Sequence, residues 1–531
     1  MSKISRRSLL TGAAAMGLTL AATRTAGAHP GIAARTGGVP LTREDRRVVV
    51  IGSGFGGGVT ALRLAQAGVP VLLLERGKRW ETGPNAQTFP HANNPDKRIL
   101  WHRSEKALFG RPMIFEPYTG LVEAVPGTGM TALCAAGLGG GSLIYQGMSL
   151  QPTREVFEAH FPAELDWTRL DRVHYPRVAR MLGLATAPDE LIAHENYAAA
   201  RVFADRVRAA GLPLSKIPMP IDWNYALAEL RGEMAPSYTN GDGAMGVNNG
   251  GKHTVDVTYV AAAEATGLVD VQTLHEVMEI ERAADGRWVV HVDRVDTTGT
   301  VQETKIITTP TLVMAAGSLN TTKLLVRAAA KGQIADLPDE LGRGWGSNAD
   351  RIYVWNNPTA GFGAEQGGPV VYGSLNWDDP QRAHTVIQAS LPPLAVDPGS
   401  TMLVGYGVSQ GRGEFVYDAG ADQATLRWPG DGDRVIQEGS IAPTVERIAG
   451  PGSMLLDTNL AFPSTWHPLG GANMGTVCDV DGRVLGQRGL YVIDGALMPG
   501  NTAACNPSMT IAALAERALD NLVRTDVGTV I

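Results

Sequence analysis

A glycine-rich turn near the start of the chain could hold a nucleotide. Gly52, Gly54 and Gly57 form a G-x-G-x-x-G pattern directly after the β-branched run 48–51. The first glycine permits a tight turn, the second lets the backbone approach a pyrophosphate, and the third lets the next helix pack closely on the strand. Glu75 follows Gly52 by 23 residues, and a carboxylate there accepts hydrogen bonds from ribose hydroxyls. The spacing predicts a dinucleotide site.

Two polar residues near the other end of the chain could hold or move a proton. His467 opens the run HPLGGANMG, and imidazole is the side chain that changes protonation near neutral pH. Asn506 stands before Pro507, where its amide could hydrogen-bond a reacting oxygen. Asparagine before proline also favours a helix N-cap, and an isolated histidine is more often structural. On the residues alone both interpretations stay open.

The local patterns indicate the elements that must position these residues. A helical pattern over 59–67 and a strand pattern over 69–74 complete a strand, turn, helix and strand unit around the glycine turn. Near the C-terminus, a strand over 489–493 precedes an alanine-rich helix over 509–523. The segment 346–460 has short alternating runs broken by Gly, Pro and Asp, a pattern typical of antiparallel sheet.

Composition excludes several classes of protein. The 531 residues are 44% hydrophobic and 19% charged, which argues against disorder and coiled coil. The net charge is −7, so a phosphate-tracking nucleic-acid binder is not expected, and a small-molecule partner is. Cys134, Cys478 and Cys505 are widely spaced, so neither a disulfide framework nor a zinc site is expected.

The N-terminus predicts export. Residues 5–10, SRRSLL, form a twin-arginine pattern, and an A-x-A cleavage site follows at 26–28. The apolar run between them is too short to span a membrane. We interpret residues 1–28 as a twin-arginine signal peptide, and we expect a secreted, periplasmic or cell-envelope protein.

Further motifs resemble one enzyme family. HPLGG alone would be a weak signal, but seven motifs in order are specific. The chain resembles the glucose-methanol-choline (GMC) family of FAD-dependent oxidoreductases, and within it the secreted bacterial cholesterol oxidases, over almost the whole mature chain. The motifs are GSGFGGG at 52–58, NPDKR at 94–98, GLGGGSL at 137–143, GGK at 250–252, AAGSL at 315–319, HPLGG at 467–471 and the helix start at 506–517.

The resemblance implies an architecture. We expect an α/β fold, α+β overall, with a Rossmann-like FAD-binding domain built from discontinuous segments and a substrate domain with a mainly antiparallel sheet. We assign 43–150, 251–345 and 461–531 to the FAD-binding domain. The substrate-binding domain is then formed by 151–250 and 346–460.

The resemblance also implies site residues. His467 lies beside the flavin and receives or orients the hydroxyl proton, and the Asn506 amide contacts the substrate oxygen or the flavin. We expect noncovalent FAD, because the nearest candidate for a flavin-linking histidine, His91, lacks a convincing motif. No metal is expected. The implied cofactor-binding residues are Gly52, Gly54, Gly57, Glu75, Gly141, Ser142, Val277, Asp494 and Gly495.

One position departs from the cholesterol oxidase pattern. In those enzymes a glutamate of the substrate domain is the base that isomerises the Δ5 ketone after oxidation. When the sequence is aligned over 386–390, Gln388 takes that catalytic position, and an amide cannot shuttle a proton between ring carbons. We expect little isomerisation, unless the alignment is shifted in this weakly matching strand.

These features predict an exported FAD-dependent alcohol oxidase that converts a ring hydroxyl of a sterol-like alcohol to a ketone and reduces oxygen to hydrogen peroxide. The segment 346–460 carries 13 acidic side chains, six arginines and no lysine. This charge indicates either a solvated surface or a pocket for a polar or cationic alcohol, such as an amino sugar or a secondary-metabolite intermediate.

A dehydrogenase that uses a quinone or protein acceptor is a further alternative, and a non-catalytic flavoprotein is the competing class. We expect a monomer, with transient membrane contact if the substrate is a sterol.

Overall fold

The computed structural model describes residues 38–108, 110–394 and 396–531. The predicted signal peptide lies outside these residues. Within them, no helix has the length and apolar character needed to cross a membrane.

The strands are numbered in chain order. They are β1 (Leu41–Asp45), β2 (Val48–Ile51), β3 (Val71–Leu74), β4 (Ala107–Leu108), β5 (Arg111–Pro112), β6 (Val122–Pro126), β7 (Thr131–Ala135), β8 (Ser215–Lys216), β9 (Val269–Gln272), β10 (His275–Arg282), β11 (Trp288–Val295), β12 (Val301–Thr309), β13 (Thr311–Met314), β14 (Arg351–Asn356), β15 (Tyr372–Asn376), β16 (His384–Ala389), β17 (Ser400–Gly407), β18 (Glu414–Asp418), β19 (Gln423–Arg427), β20 (Met454–Asp457), β21 (Ser464–Thr465) and β22 (Leu490–Val492).

The α-helices are numbered in the same way. They are α1 (Phe55–Gln66), α2 (Arg154–His160), α3 (Trp167–Arg169), α4 (Tyr175–Met181), α5 (Asp189–Ala193), α6 (Ala198–Ala209), α7 (Asn224–Leu230), α8 (Ala261–Glu264), α9 (Gly317–Ala330), α10 (Arg434–Ile436), α11 (Ala442–Ala449) and α12 (Pro507–Thr525). Short helical turns lie at Gly140–Leu143, Leu170–His174, Glu195–Tyr197, Asp242–Met245, Asp256–Val260, Gln437–Ile441, Thr458–Leu460 and Gly495–Leu497.

A five-stranded parallel sheet, in the order β22-β13-β2-β3-β9, lies behind the glycine turn. Strands β2 and β3 are apolar and buried along their whole length, as expected of parallel strands covered on both faces. Helix α1 connects them and packs on α12. The expected Rossmann-like unit is therefore confirmed. Because the strands are parallel, the residues after β2, β3, β13 and β22 meet at one edge of the sheet.

A six-stranded antiparallel sheet, in the order β20-β14-β17-β16-β15-β8, forms the second large layer. It confirms the antiparallel sheet expected in 346–460, and β8 adds a short strand from the earlier segment. Helix α11 and the residues before it cover one face of this sheet, where Ile441 and Val445 pack with Val386 and Leu403 in the main core. The other face belongs to a second core that contains Ile387.

Smaller sheets complete the fold. Strands β1, β12, β11 and β10 form a four-stranded sheet in that order, and β21, β7 and β6 form a three-stranded one. The hairpin β18–β19 is tied to β10 and α9 by Arg327, which binds Glu279 and Asp422 at 2.5 Å each. These contacts fix the position of α9, whose N-terminus lies at the edge where the parallel strands end.

Candidate active site

The glycine turn is closed on its strand side and open at its centre. A Cβ atom on Gly52, whose φ is +98°, would lie 2.3 Å from the carbonyl oxygen of Ala315, and one on Gly57 would lie 1.9 Å from that of Gly52. At Gly54, just before α1, no described atom lies within 4 Å of such a Cβ. The open backbone at the start of a helix leaves room for an anionic group.

Glu75 joins this turn to the second glycine cluster, which is the GLGGGSL motif at 137–143. Its buried carboxylate accepts hydrogen bonds from the Ser53 hydroxyl at 2.6 Å and from the Gly77 N–H at 2.8 Å. A longer bond comes from the Gly137 N–H at 3.3 Å. The carboxylate predicted to bind ribose therefore lies between the two glycine-rich segments.

The second glycine cluster presents backbone rather than side chain to this edge. No described atom lies within 4 Å of a Cβ placed on Gly141. The Ser142 hydroxyl instead faces the protein, where it donates to the Gly139 carbonyl at 2.7 Å and accepts from the Val255 N–H at 2.9 Å. The structure thus leaves Gly141 open to a ligand, whereas the hydroxyl of Ser142 is already bound.

Lys252, from the GGK motif, holds the end of this cluster. Its ammonium donates to the carbonyl oxygens of Leu143 at 3.0 Å and Tyr145 at 2.6 Å. Burial lowers the pKa of Lys252 to about 7, an effect that nearby Asp256 partly opposes. The motif therefore places a buried amine beside the second glycine cluster.

Two buried polar atoms in this region have no hydrogen-bond partner among the described residues, Trp80 Nε1 and Asp256 Oδ1. A Cβ atom on Gly137 would lie 2.8 Å from the first, and one on Gly139 would lie 2.9 Å from the second. Both residues line a small cavity together with Leu143 and Lys252. Open glycine backbone, a buried carboxylate and unpartnered polar atoms all fit a dinucleotide cofactor.

The remaining predicted cofactor residues lie beside these segments. Asp494 accepts hydrogen bonds from the Thr321 hydroxyl at 2.6 Å and the Gly317 N–H at 2.9 Å. Burial raises its pKa to about 6, and these hydrogen bonds oppose the rise. The next residue, Gly495, accepts from the Gly470 N–H at 2.8 Å. Asp494 thereby links the ends of β22 and β13.

Val277 lies in β10, close to the end of β3. It follows His275 by two residues, and the His275 N–H donates to the Glu75 carbonyl at 2.9 Å. Val277, a predicted cofactor-binding residue, is therefore placed next to the predicted ribose contact.

His467 is held by an aspartate that lies 117 residues earlier in the chain. Its Nδ1 is 2.6 Å from Asp350 Oδ1, and its backbone N–H donates to Asp350 Oδ2 at 3.1 Å. Asp350 Oδ2 also accepts from the Thr465 hydroxyl at 2.6 Å and the Trp466 N–H at 3.1 Å. The His467 ring packs edge-on against Tyr406, with the ring centroids 5.5 Å apart. No protein partner of Nε2 is found among the described residues.

The segment just before β14 also positions the chain leading to Asn506. Asn348 donates to the Thr502 hydroxyl and to the Cys505 carbonyl, both at 2.9 Å. Three non-glycine residues near these contacts, Ala349, Ala503 and Ala504, have φ between +54° and +62°. Such backbone costs free energy and often occurs at functional sites. One segment therefore fixes both His467 and the approach to Asn506.

Asn506 uses its whole amide on neighbouring protein groups. Its Nδ2 donates to the Met148 carbonyl and, at 2.6 Å, to the Ser508 hydroxyl, and its Oδ1 accepts from the Leu150 N–H at 3.2 Å. Asn506 occupies the N-cap position of α12 without a side-chain cap hydrogen bond. Because the Tyr406 hydroxyl contacts Met148 Sδ at 3.8 Å, the structure brings Asn506 into the same cluster as His467.

Gln388 is not brought to this cluster. In the β16–β17 pair it lies opposite Leu403, whereas Thr385 lies opposite Tyr406. Side chains alternate between the faces of a strand, so Gln388 points to the face opposite the one that Tyr406 presents to His467. There it donates to the Thr401 hydroxyl at 3.0 Å. Its predicted catalytic role gains no support from this geometry and stays a prediction.

Comparison with known proteins agrees with this arrangement. Residues 50–104 match the NAD(P)-binding Rossmann-like domain, and residues 444–515, which include His467 and Asn506, match the GMC oxidoreductase family. In this C-terminal region the chain is similar to GMC oxidoreductases. A flavin is accordingly the class of cofactor that its nucleotide site implies.

Individual relatives cover nearly the whole chain. A cholesterol oxidase of Mycobacterium tuberculosis is 26% identical, covering 90% of this chain and 91% of the relative. A cholesterol oxidase of Acinetobacter baumannii is 25% identical, covering 90% and 94%. Among solved structures, pyridoxine 4-oxidase from Mesorbium loti has a TM-score of 0.58 at 16% identity, covering 90% of this chain and 99% of that one. A fungal aryl-alcohol oxidase has a TM-score of 0.60 at 14% identity, covering 91% and 99%. The solved structures show that the fold is shared.

Sequence reasoning missed Asp350 and the contacts of Lys252. Asp350 belongs to none of the motifs and is far from His467 along the chain, so no local pattern points to it. Lys252 was part of a recognised motif, but its contact with the second glycine cluster depends on tertiary structure.

Proposed function

We propose that this protein is an exported FAD-dependent alcohol oxidase that converts a ring hydroxyl of a sterol-like alcohol to a ketone, with oxygen reduced to hydrogen peroxide. The observation that carries the proposal is the arrangement of His467. Its Nδ1 is held by Asp350, and its Nε2 is left without a protein partner among the described residues. A held imidazole with one free nitrogen suits general-base catalysis.

The flavin supplies the hydride acceptor for alcohol oxidation when it is bound. His467 Nε2 accepts the proton of the substrate hydroxyl, and Asp350 keeps the ring in place during this transfer. Asn506 keeps the 148–150 segment against the start of α12 through its bonds to Met148 and Leu150. The protein side of the reaction is thus proton removal and positioning.

The surroundings of His467 support an apolar substrate. The site-facing positions of the antiparallel sheet include Ile352, Val404 and Ile387 together with Ala389 and Tyr406, and none of them is charged. A bulky apolar alcohol suits such a face because its burial there removes hydrocarbon from water.

Apart from Asp350, which binds His467, several acidic side chains of 346–460 have partners away from the site. Asp457 pairs with Arg351, Asp422 pairs with Arg327, and Asp378 lines a separate cavity with Arg447. This distribution favours the solvated-surface interpretation of the charge. A polar or cationic alcohol is therefore the less supported alternative.

Weak isomerase activity is part of the proposal. The site-facing positions of β16 are Thr385, Ile387 and Ala389, and none of these side chains is a carboxylate. If the alignment is shifted by one residue, Ala389 takes the position of the isomerising glutamate in place of Gln388. In either register the aligned residue of β16 is not a carboxylate.

Noncovalent FAD and export complete the proposal. His91, the candidate for a flavin link, has both ring nitrogens engaged, Nδ1 with Asp242 at 2.8 Å and Nε2 with Gln87 at 3.2 Å. Export rests on the twin-arginine pattern of residues 5–10.

The test is a screen of alcohols under anaerobic conditions, read as bleaching of the flavin absorbance. Sterols, aryl alcohols, amino sugars and hydroxylated secondary metabolites are compared side by side with the mature protein. We expect 3β-hydroxysterols to bleach the flavin fastest, and admitted oxygen to restore the colour with hydrogen peroxide formed. Reduction by cationic alcohols alone would contradict the substrate class, and reoxidation only by a quinone would contradict the oxidase assignment.

A further inference from the structure

Asp350 offers its two carboxylate oxygens to two different sets of donors. Among the hydrogen bonds of the described residues, Oδ1 binds only the His467 ring, at Nδ1. Oδ2 accepts from the Thr465 hydroxyl and from the backbone N–H groups of Trp466 and His467. The Asp350 side chain is fully buried, so water does not compete for either oxygen. This division fixes the orientation of the carboxyl group.

We propose that Asp350 is the positioning residue that sets the tautomer of His467, an inference that rests on the proposed function of His467 as the base. An ionised carboxylate accepts hydrogen bonds and donates none, so the proton of the neutral ring lies on Nδ1. Nε2 then carries a lone pair, which the base needs in order to accept the substrate proton. The strained residue Ala349, with φ of +58°, precedes Asp350 and holds it at the start of β14.

The asymmetry of the two oxygens gives Asp350→Asn a specific consequence. Two of the three donors to Oδ2 are backbone N–H groups that cannot become acceptors. The carbonyl oxygen of the new amide must therefore face them, because buried donors left unpaired are unfavourable. The amide NH₂ then faces the ring, and it can bond Nδ1 only when that nitrogen is unprotonated. The ring proton then moves to Nε2, so His467 can no longer accept the substrate proton there. The carbon skeleton of residue 350 is unchanged.

The control is Asp433→Asn. Asp433 is a buried aspartate of the same region, and its partners are the hydroxyls of Ser409 and Ser347. Hydroxyls can rotate to donate or accept, so whichever serine hydroxyl faces the new amide NH₂ can accept a hydrogen bond from it. Asp433 makes no contact with His467 among the hydrogen bonds of the described residues, and its replacement is expected to leave flavin reduction within about twofold.

The decisive measurement is nitrogen NMR of protein with labelled histidine rings. The purified holoprotein is used, and the His467 signals are assigned by their loss in His467→Gln. We expect protonated Nδ1 and unprotonated Nε2 in the native protein, and the reverse in Asp350→Asn. Anaerobic flavin reduction by alcohol should fall at least about a hundredfold in Asp350→Asn, as expected when a positioned base is lost, while dithionite reduces the bound flavin normally.

The outcomes separate this inference from the proposed function. If the native ring is protonated on Nε2, or if Asp350→Asn keeps both the native tautomer and the native rate, the inference is wrong. An equal loss of rate in Asp433→Asn would also overturn it. If Asp350→Asn does not fold, the His467 tautomer measured in the native protein is the test of the inference. If no alcohol reduces the flavin, the proposed function fails, but the tautomer still tests the role of Asp350.

Discussion

At the scale of single residues, His467 has one ring nitrogen bound to Asp350 and one without a protein partner among the described residues. Replacing it with alanine should lower the rate of flavin reduction by at least about a hundredfold. FAD should stay bound, because the glycine turns and Glu75 do not depend on this side chain. Stopped-flow reduction and the flavin-to-protein absorbance ratio measure the two effects.

The matched control is His291→Ala. His291 lies in β11, where its ring contacts Glu281 at 3.0 Å, and its loss should leave the reduction rate unchanged. If the His467→Ala variant reduces the flavin at a near-native rate, His467 has no catalytic role in the reaction.

A second residue-scale prediction compares neighbours on β16. Any 3β-hydroxy-Δ5-sterol that the enzyme accepts should leave mainly as the unconjugated ketone. Ala389→Glu places a carboxylate on the site-facing side of the strand and should produce some conjugated ketone, whereas Gln388→Glu places it on the opposite side and should not. Ultraviolet absorbance of the conjugated enone separates the products. Rapid conjugation by the unmodified enzyme would contradict the prediction.

Asp433 gives a prediction about pH. Burial, with a contribution from the negative charge of Asp350, raises the pKa of Asp433 from an ordinary value of 3.8 to about 6, against the effect of the Ser409 and Ser347 hydroxyls. Between these two values the folded protein binds a proton that the unfolded chain releases, so this contribution to stability is lost as pH rises through about 6. The rise corresponds to roughly 3 kcal/mol.

Asp433→Asn removes this dependence. The free energy of unfolding of the variant, minus that of the native protein, should therefore increase by up to about 3 kcal/mol as pH is raised from about 4 to above 6. Urea denaturation at several pH values gives this difference, in which the other titrating groups cancel. Parallel stability curves for the two proteins would show that Asp433 ionises normally.

At the scale of elements, the glycine turn between β2 and α1 yields a matched pair of substitutions. Gly57→Ala should destabilise the fold by more than about 2 kcal/mol, since its Cβ would lie 1.9 Å from the Gly52 carbonyl oxygen. Gly54→Ala should fold normally, because nothing lies within 4 Å of the added carbon, yet it should bind FAD at least about tenfold more weakly because a methyl group fills the predicted pyrophosphate position.

Thermal unfolding of flavin-free protein and FAD titration measure these two effects. Full FAD affinity in Gly54→Ala would show that the open space beside this residue does not belong to the cofactor.

Elements with a strong local pattern could be predicted from the sequence. The strand at 48–51 is found as predicted, and the helix expected over 509–523 is found as Pro507–Thr525. The helix expected over 59–67 begins earlier, at Phe55, because glycines at its start hide the apolar pattern. Buried parallel strands and alanine-rich helices carry their signal in consecutive residues, which explains why these predictions held.

At the scale of the whole molecule, the features that could not be predicted from the sequence depend on contacts between distant segments. Nothing in the residues around Asp350 indicates that it will bind His467, because the pair forms only when the chain just before β14 meets the residues at the end of β21. The face on which Gln388 points follows from strand register, and a shift of one residue exchanges the faces. The sequence pointed to His467 as a candidate base, whereas its contact with Asp350 and the direction of the Gln388 side chain required the fold.

The last prediction concerns how the whole molecule holds its cofactor. The purified protein should be yellow, and acid precipitation should release all of its FAD. The predicted cofactor residues come from the turn at 52–57, from Glu75 and from segments as far apart as Gly141 and Asp494, so they form a site only in the folded chain. His91 should provide no covalent link, because both of its ring nitrogens are hydrogen-bonded. Absorbance of the pellet and the supernatant gives the distribution of flavin, and His91→Ala should show the same distribution as the native protein. Flavin that stays with the precipitated native protein would contradict the noncovalent assignment, and its release from His91→Ala alone would identify His91 as the attachment point.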